Sequence, residues 1–299
     1  MSEKVEDIYN KKINIIWTLV IFIGFNLISS IGIFLGLVTN YLLFVIILAI
    51  LNIVAIVLSV LGIRKETEKK EEIKPDTKWA VLFRKLFNIA GGLATIALAF
   101  FLGPWLTFFI MIGFLYAFGL HEILFVKYKI KTLFTNTLLA FGRDTGFEVF
   151  WPSINALSSF SFVIGVCSVF FYFHFVDFWW QFFLVSTCAI LIWGVGDSTA
   201  YYLGKNFGKK KLPWNEDKSY IGSFGFFLAG SIIAIMLLSP LVSTLLGIAP
   251  LVSEYTWIFI SIATSLLGAV VESLNIKLTD NFTVPAICSL FLVASVIVF

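Results

Sequence analysis

Residues 178–212 read FWWQFFLVSTCAILIWGVGDSTAYYLGKNFGKKKL. From 178 to 196 no charged side chain occurs; Asp197 then arrives, followed by Lys205, Lys209, Lys210 and Lys211. A helix on the surface of a soluble protein keeps a polar face along its whole length. This segment has none until its end. A bilayer core takes about 20 apolar residues as a helix, because lipid offers backbone groups no partners and only intrahelical hydrogen bonds satisfy them. Residues 179–203 therefore read as a transmembrane span that emerges, at its C-terminal end, into a block of positive charge.

The rest of the chain has the same character. Of 299 residues, 60% are hydrophobic, 17% aromatic and 13% charged, and the mean hydropathy is +0.98. Soluble domains run at about 45–50% apolar and about 25% charged. The composition excludes a soluble enzyme, a disordered regulator and a secreted disulfide scaffold. Apolar segments long enough to span fall at 14–37, 41–63, 86–103, 104–126, 159–176, 179–203, 221–241, 251–274 and 282–299. The expected fold is an all-α integral membrane protein, a polytopic bundle of about nine transmembrane helices. Alternating these spans places all 21 lysines and arginines on one side. Positive charge is retained in the cytoplasm, so the N-terminus is expected inside and the C-terminus outside.

The charge-dense stretch RKETEKKEEIKPDTK, residues 64–78, separates the first two spans from the others. It divides the chain into a two-helix membrane extension (1–63), a charged cytoplasmic linker (64–79) and a main membrane domain (80–299). The first apolar run is too long for a signal-peptide core and no small-residue cleavage site follows it, so it reads as a span. Cys167, Cys188 and Cys288 lie in apolar stretches without CxxC spacing or a histidine nearby. They read as buried small hydrophobes, neither a disulfide framework nor zinc ligands. No internal repeat of fixed period is apparent.

Ionisable groups at membrane depth are costly unless paired or hydrated, so each is a functional candidate. Glu122 (beside His121), Asp197, Glu272 and Asp280 all fall at the cytoplasmic ends of spans, whereas the outer face offers only Asp177, Glu254 and His174. An active site is expected on the cytoplasmic side. Asp197, Tyr201 and Gly204/Lys205 are spaced to share one helix face, and Gly194 and Gly196 leave room for another backbone or a ligand. A carboxylate followed by Gly204, Lys205, Gly208 and Lys209 suits a metal-bridged polyphosphate: Asp197 for Mg²⁺, the glycines for access, the lysines for neutralisation. This is not a Walker A loop, for no GxxxxGK[ST] occurs. Helix packing explains Gly204-x-x-x-Gly208 as well, and retention or anionic headgroups explain the lysines. Lys218-Ser219-Tyr220-Ile221-Gly222-Ser223 then brings a lysine, hydroxyls and a glycine to a helix N-terminus, a good anion site. Glu272, Asp280 and Asn281 return polar groups to the same face.

Three blocks in this order, GDSTAYYLGKNFGKKKL (196–212), KSYIGSFGFFLAG (218–230) and ESLNIKLTDNFTVP (272–285), resemble the polyprenol kinase family. That family includes dolichol kinase, phytol kinase and the CTP-dependent diacylglycerol kinase. Upstream, Arg84-Lys85-Leu86-Phe87-Asn88 is similar to the family's RKL-x-H segment, with Asn88 at the histidine position; Ile221 stands where glutamate is common. The resemblance covers roughly residues 80–299 and leaves the first two spans as an extension. Phosphatidate cytidylyltransferase is distantly similar, but its KR-x4-KD and PGHGG-x-DR-x-D blocks are absent here.

The resemblance implies a CTP-dependent lipid kinase. It would transfer the γ-phosphate to the hydroxyl of a membrane lipid alcohol (a polyprenol or dolichol, a phytol-type isoprenoid or diacylglycerol) at the cytoplasmic membrane face, with Mg²⁺ as cofactor. It implies Asp197 and Lys218 as catalytic residues and Asp197, Glu272 and Asp280 as metal ligands. Arg84, Lys85, Gly204, Lys205, Gly208, Lys209, Ser219 and Gly222 would bind the nucleotide and its phosphates. The partners are CTP, the lipid alcohol and the surrounding membrane lipids; no nucleic acid is expected. An enzyme making a CDP-lipid from CTP is the alternative, and a transporter or structural membrane protein the third. A transporter expects polar residues near the bilayer midplane, whereas these acids gather at one interface.

Overall fold

Glycine and proline cut the apolar sequence into helices. The computed structural model describes residues 78–122, 151–174, 178–247, 255–274 and 280–298, with a few single positions upstream. Helix α1 (Lys78–Leu102) ends at Gly103, whose φ of 89° suits a residue without a Cβ, and Pro104 opens α2 (Pro104–Glu122). Then come α3 (Trp151–His174), α4 (Phe178–Phe207), β1 (Lys211–Leu212) and β2 (Asn215–Ser219). The chain continues with α5 (Tyr220–Leu238), α6 (Pro240–Leu245), α7 (Thr256–Ser273) and α8 (Asp280–Val298).

Among the described residues, five helical segments are long and apolar enough to cross a membrane: Lys85–Leu102, Trp180–Phe207, Tyr220–Leu245, Thr256–Ser273 and Asp280–Val298. Pro104–Ala117 and Ala156–Phe171 are shorter apolar helices. The chain is thus a helical membrane-type protein. The spans expected at 14–37 and 41–63 and the linker at 64–79 lie outside the described residues, apart from single positions. The side chains of Arg84, His121 and Glu122 lie outside them too.

Two differences from the expected layout have local causes. The span expected at 221–241 breaks at Ser239, which is extended (ψ 144°) because the residue before a proline is driven out of the helical region, and Pro240 starts α6. The fold is also not purely α. After α4 the polar run KKKLPWNEDKS forms an antiparallel hairpin, with Lys211 opposite Ser219 and Leu212 opposite Asn215. Pro213 cannot continue a helix, and Leu212, 3% exposed, anchors the turn inward.

Two compact units divide the chain: residues Met1–Arg84 with Phe109–Ser161, and Lys85–Phe108 with Phe162–Phe299. The second contains every candidate residue described below except Arg84. Its centre is dry. Phe226 of α5 is fully buried; a Cβ at Gly196 of α4 would lie 3.0 Å from its ring, and one at Gly268 of α7 3.1 Å. These glycines let three helices close around one ring. Gly194 similarly faces Ile89 of α1, 2.8 Å from where a Cβ would sit. Cys167, Cys188 and Cys288 are free thiols, each 0% exposed, as expected of small core hydrophobes. Helix α4 has 30 residues, about 45 Å at 1.5 Å per residue, against about 30 Å of hydrocarbon. About 15 Å of helix is left over, so Tyr201 and Lys205 ride on its continuation beyond the apolar layer, with Asp197 at the edge of that layer.

Candidate active site

Charge converges from separate connections. Asp197 lies two thirds of the way along α4, Lys218 on β2, Glu272 one residue before the end of α7, and Asp280 at the first residue of α8. One carboxylate oxygen each from Asp197, Glu272 and Asp280 lie within 4.8 Å of one another. The Lys218 ammonium donates to the Glu272 carboxylate and, at 3.2 Å, to Oδ2 of Asp280. Lys85 of α1 donates to the Asp197 carboxylate and, at 3.2 Å, to the backbone carbonyl of the same residue.

The cluster has a deep end and a shallow end. The Glu272 side chain is 2% exposed, against 27% for Lys218 and 33% for Asp280. Oε2 of Glu272 is buried with no hydrogen-bond partner among the described residues. Burial works against the Lys218 ammonium, but the charges of Asp280, Glu272 and Asp197 outweigh it and hold its pKa above the ordinary lysine value. Among the described residues, three carboxylates face two ammoniums around an oxygen that has no hydrogen-bond partner there. Hard oxygen donors with surplus negative charge suit a divalent cation such as Mg²⁺.

The expected phosphate binders divide into two groups. Lys205 and Lys209 are exposed. Lys205 donates to the Tyr201 hydroxyl at 2.9 Å, and the Lys85 ammonium lies 5.1 Å from the centroid of the same ring. Gly204, Gly208, Ser219 and Gly222 instead form a tight junction between α4 and the start of α5. The Ser219 hydroxyl is the N-cap of α5, accepting from the Gly222 N–H at 3.2 Å, and Ser219 is 4% exposed. A Cβ on Gly204 would sit 3.1 Å from that hydroxyl, one on Gly222 would sit 3.0 Å from the Ala200 carbonyl, and one on Gly208 would overlap Ser219. The glycine spacing thus has the packing use that the sequence left open. Arg84 precedes Lys85 in α1, Asn88 follows one turn on, half-buried, and Ile221 faces outward, 39% exposed.

Other residues at the cluster carried no role in the sequence reading. Tyr201 joins Lys85 to Lys205. In the hairpin, Trp214 Nε1 donates to the Ser273 hydroxyl at 3.3 Å, and Asn215 Nδ2 donates to the Ser273 carbonyl at 3.2 Å. The only local signal for them was a Pro-Trp-Asn turn between two lysine-bearing stretches. Pro285, five residues into α8, has no N–H to offer the carbonyl of Asn281, its i−4 neighbour beside Asp280.

Comparison with known proteins finds phytol kinases. The chain is 34% identical to Phytol kinase 1, chloroplastic, of Arabidopsis thaliana over 110 residues, 36% of this chain and 35% of that protein. It is 34% identical to Probable phytol kinase 2, chloroplastic, of Oryza sativa subsp. japonica over 104 residues, 34% of this chain and 32% of that one. Probable phytol kinase 1, chloroplastic, also of Oryza sativa subsp. japonica, is 42% identical over 43 residues, 14% of each chain. The chain thus spans about a third or less of the length of the curated relatives it matches. No protein-family model matches it, and no solved structure matches it. The similarity to phytol kinases is found over about a third of the chain.

Proposed function

We propose that the chain is a CTP-dependent lipid kinase that moves the γ-phosphate onto the hydroxyl of a membrane lipid alcohol at the cytoplasmic face. The observation that carries this reading is the convergence of Asp197, Glu272 and Asp280, from three helices, within 4.8 Å and around the Lys218 ammonium. Packing has no use for so much charge at the end of apolar helices. The printed names of the relatives point to a phytol-type alcohol as the first acceptor to try.

Phosphoryl transfer asks a protein for positioning and neutralisation more than for covalent chemistry. Asp197, Glu272 and Asp280 would hold Mg²⁺, which when bound supplies positive charge to the phosphate oxygens. Lys218, within reach of two of the carboxylates, meets the transferring phosphate, while the exposed Lys205 and Lys209 take the outer ones. Asp197, ion-paired to Lys85, takes the proton of the lipid hydroxyl. The new O–P bond forms as the bond to the bridging oxygen breaks, and CDP leaves. Gly204, Gly208, Ser219 and Gly222 serve indirectly, by fixing α4 against α5 so that Asp197 and Lys218 stay in register.

The proposed topology has nine spans, the N-terminus in the cytoplasm and the C-terminus outside, with residues 1–63 an extension, 64–79 a linker and 80–299 the catalytic membrane domain. The site then faces the cytosol.

The test is the fate of label. Purified protein with Mg²⁺, CTP and polyprenol, phytol, diacylglycerol or phosphatidic acid should pass γ-label to an alcohol and leave α-label in soluble CDP. ATP should replace CTP poorly. Transfer of α-label to phosphatidic acid, with pyrophosphate released, would instead establish a cytidylyltransferase. Transfer to no lipid would remove the kinase reading.

A further inference from the structure

The geometry points to Asn215 as a positioning residue: we propose that its buried amide latches the hairpin bearing Lys218 to the end of α7 bearing Glu272. This rests on the reading of Lys218 and Glu272 as parts of the phosphate-transfer site.

Asn215 is 8% exposed, although it lies in a polar hairpin. Both ends of its amide are used: Nδ2 donates to the Ser273 carbonyl at 3.2 Å, and Oδ1 accepts the Asp217 N–H at 3.1 Å. One end grips the residue after Glu272 and the other the residue before Lys218. The last carbonyls of a helix have no intrahelical donor, and Asn215 supplies one to α7. Ser273 is itself 4% exposed, so its carbonyl would be costly to leave unpaired. Trp214 adds a second tie through its indole N–H at 3.3 Å, but at 53% exposure this contact is open to water.

The hairpin needs such a latch. Its first strand has two residues and its second five, and an isolated two-stranded hairpin is marginal in water. On one side it is pinned by the Ser219 cap of α5. Without a pin on the α7 side it can pivot about Ser219, carrying Lys218 away from Glu272. A lysine side chain is long enough to follow small movements, so the effect on catalysis is graded. A displacement of about 1 Å at a reacting group costs up to about a hundred-fold.

The experiment pairs kinetics with a distance. Asn215→Ala should lower turnover about ten- to hundred-fold, raise the Mg²⁺ concentration needed for half-maximal rate, and leave KM for the lipid unchanged. Asn215→Asp, which turns a donor into an acceptor against the Ser273 carbonyl, should be at least as severe. Trp214→Phe should be milder. Independently of turnover, spin labels at Glu216→Cys and Leu274→Cys should report a narrow distance distribution in the parent and a broad one in Asn215→Ala. The native thiols, each 0% exposed, stay unlabelled. An unchanged distribution, or a broadened one with normal turnover and Mg²⁺ dependence, overturns the latch. If the parent transfers phosphate to no lipid, the kinase reading fails, and the distance measurement alone still decides whether Asn215 holds the hairpin.

Discussion

Lys218→Met and Glu272→Gln break the same ion pair, yet they should differ in cost. In Lys218→Met the Glu272 carboxylate loses the partner of Oε1, while Oε2 already has none among the described residues and the side chain is 2% exposed. A buried charge left without its partner costs about 3–5 kcal/mol. In Glu272→Gln the ammonium keeps Asp280 at 3.2 Å, is 27% exposed, and still finds an amide oxygen to donate to. The loss there should be about 1 kcal/mol. The double variant removes both charges and should lose about 2 kcal/mol less than the two single losses added together. Thermal unfolding in detergent micelles without divalent cation reads these differences, at roughly 2–4 °C per kcal/mol for a large domain. Adding Mg²⁺ at about a hundred times its dissociation constant should return about 2.7 kcal/mol to Lys218→Met. Equal midpoints for Lys218→Met and the parent, or a larger loss in Glu272→Gln, would refute the burial asymmetry. No response to Mg²⁺ would refute the divalent site.

Four further outcomes are expected. Asp197→Asn should lower turnover by at least about a hundred-fold, as loss of a general base or metal ligand does; retained Mg²⁺ stabilisation would assign it the proton-accepting role, and normal turnover would remove it from the site. Tyr201→Phe, which deletes the acceptor of the Lys205 hydrogen bond, should raise KM for the nucleotide a few-fold, and Tyr201→Leu, which also removes the ring beside Lys85, should raise it further; a change in turnover alone would contradict this. The pKa of Lys218 is raised, so its stabilising charge is complete below the ordinary lysine value and is lost only as pH climbs through the raised one. The stability gap between the parent and Lys218→Met should therefore stay flat from about pH 7 to about pH 10, and a decline within that range would contradict the pairing. For topology, Lys210→Cys should resist an impermeant thiol reagent applied to intact cells and Ser253→Cys should react; the reverse pattern would invert the orientation.

The acids of the site were legible because an apolar chain makes each ionisable residue conspicuous. Asp197, Glu272 and Asp280 stood out by their expense at membrane depth, and the alternation of spans put them on one face. Lys85 was harder to weigh. Juxtamembrane lysines are common, and its contact with Asp197 spans 112 residues of sequence, which no local pattern encodes. Glycine spacing was ambiguous from the start, since a close approach to a helix and a close approach to a phosphate make the same demand for a missing Cβ. Only the positions of Ser219 and Ala200 distinguish them. The hairpin escaped for a different reason: LPWNEDK is too short and too polar to show a strand period, and the amide of Asn215 acts on a carbonyl 58 residues away.

The pairing pattern itself bears on what the cluster can bind. Asp197 and Glu272 are each met by a lysine distant in sequence, Asp197 by Lys85 and Glu272 by Lys218, rather than by a neighbour one helical turn away. Pairing of that kind makes the charge balance depend on the packing of several helices at once. Two ammoniums against three carboxylates, counted among the described residues, also place the site between two useless extremes. With no lysine, the carboxylates would repel one another at the end of an apolar bundle, and the cost would fall on folding. With a third lysine the charges would cancel, and a divalent cation would have little to attract it. The balance counted among the described residues, beside Oε2 of Glu272 with no hydrogen-bond partner there, limits repulsion among the acids and still favours a cation. Under the proposed reading, a cation held by the three carboxylates would free the Lys218 ammonium, carried on a surface hairpin, to turn from carboxylate to phosphate.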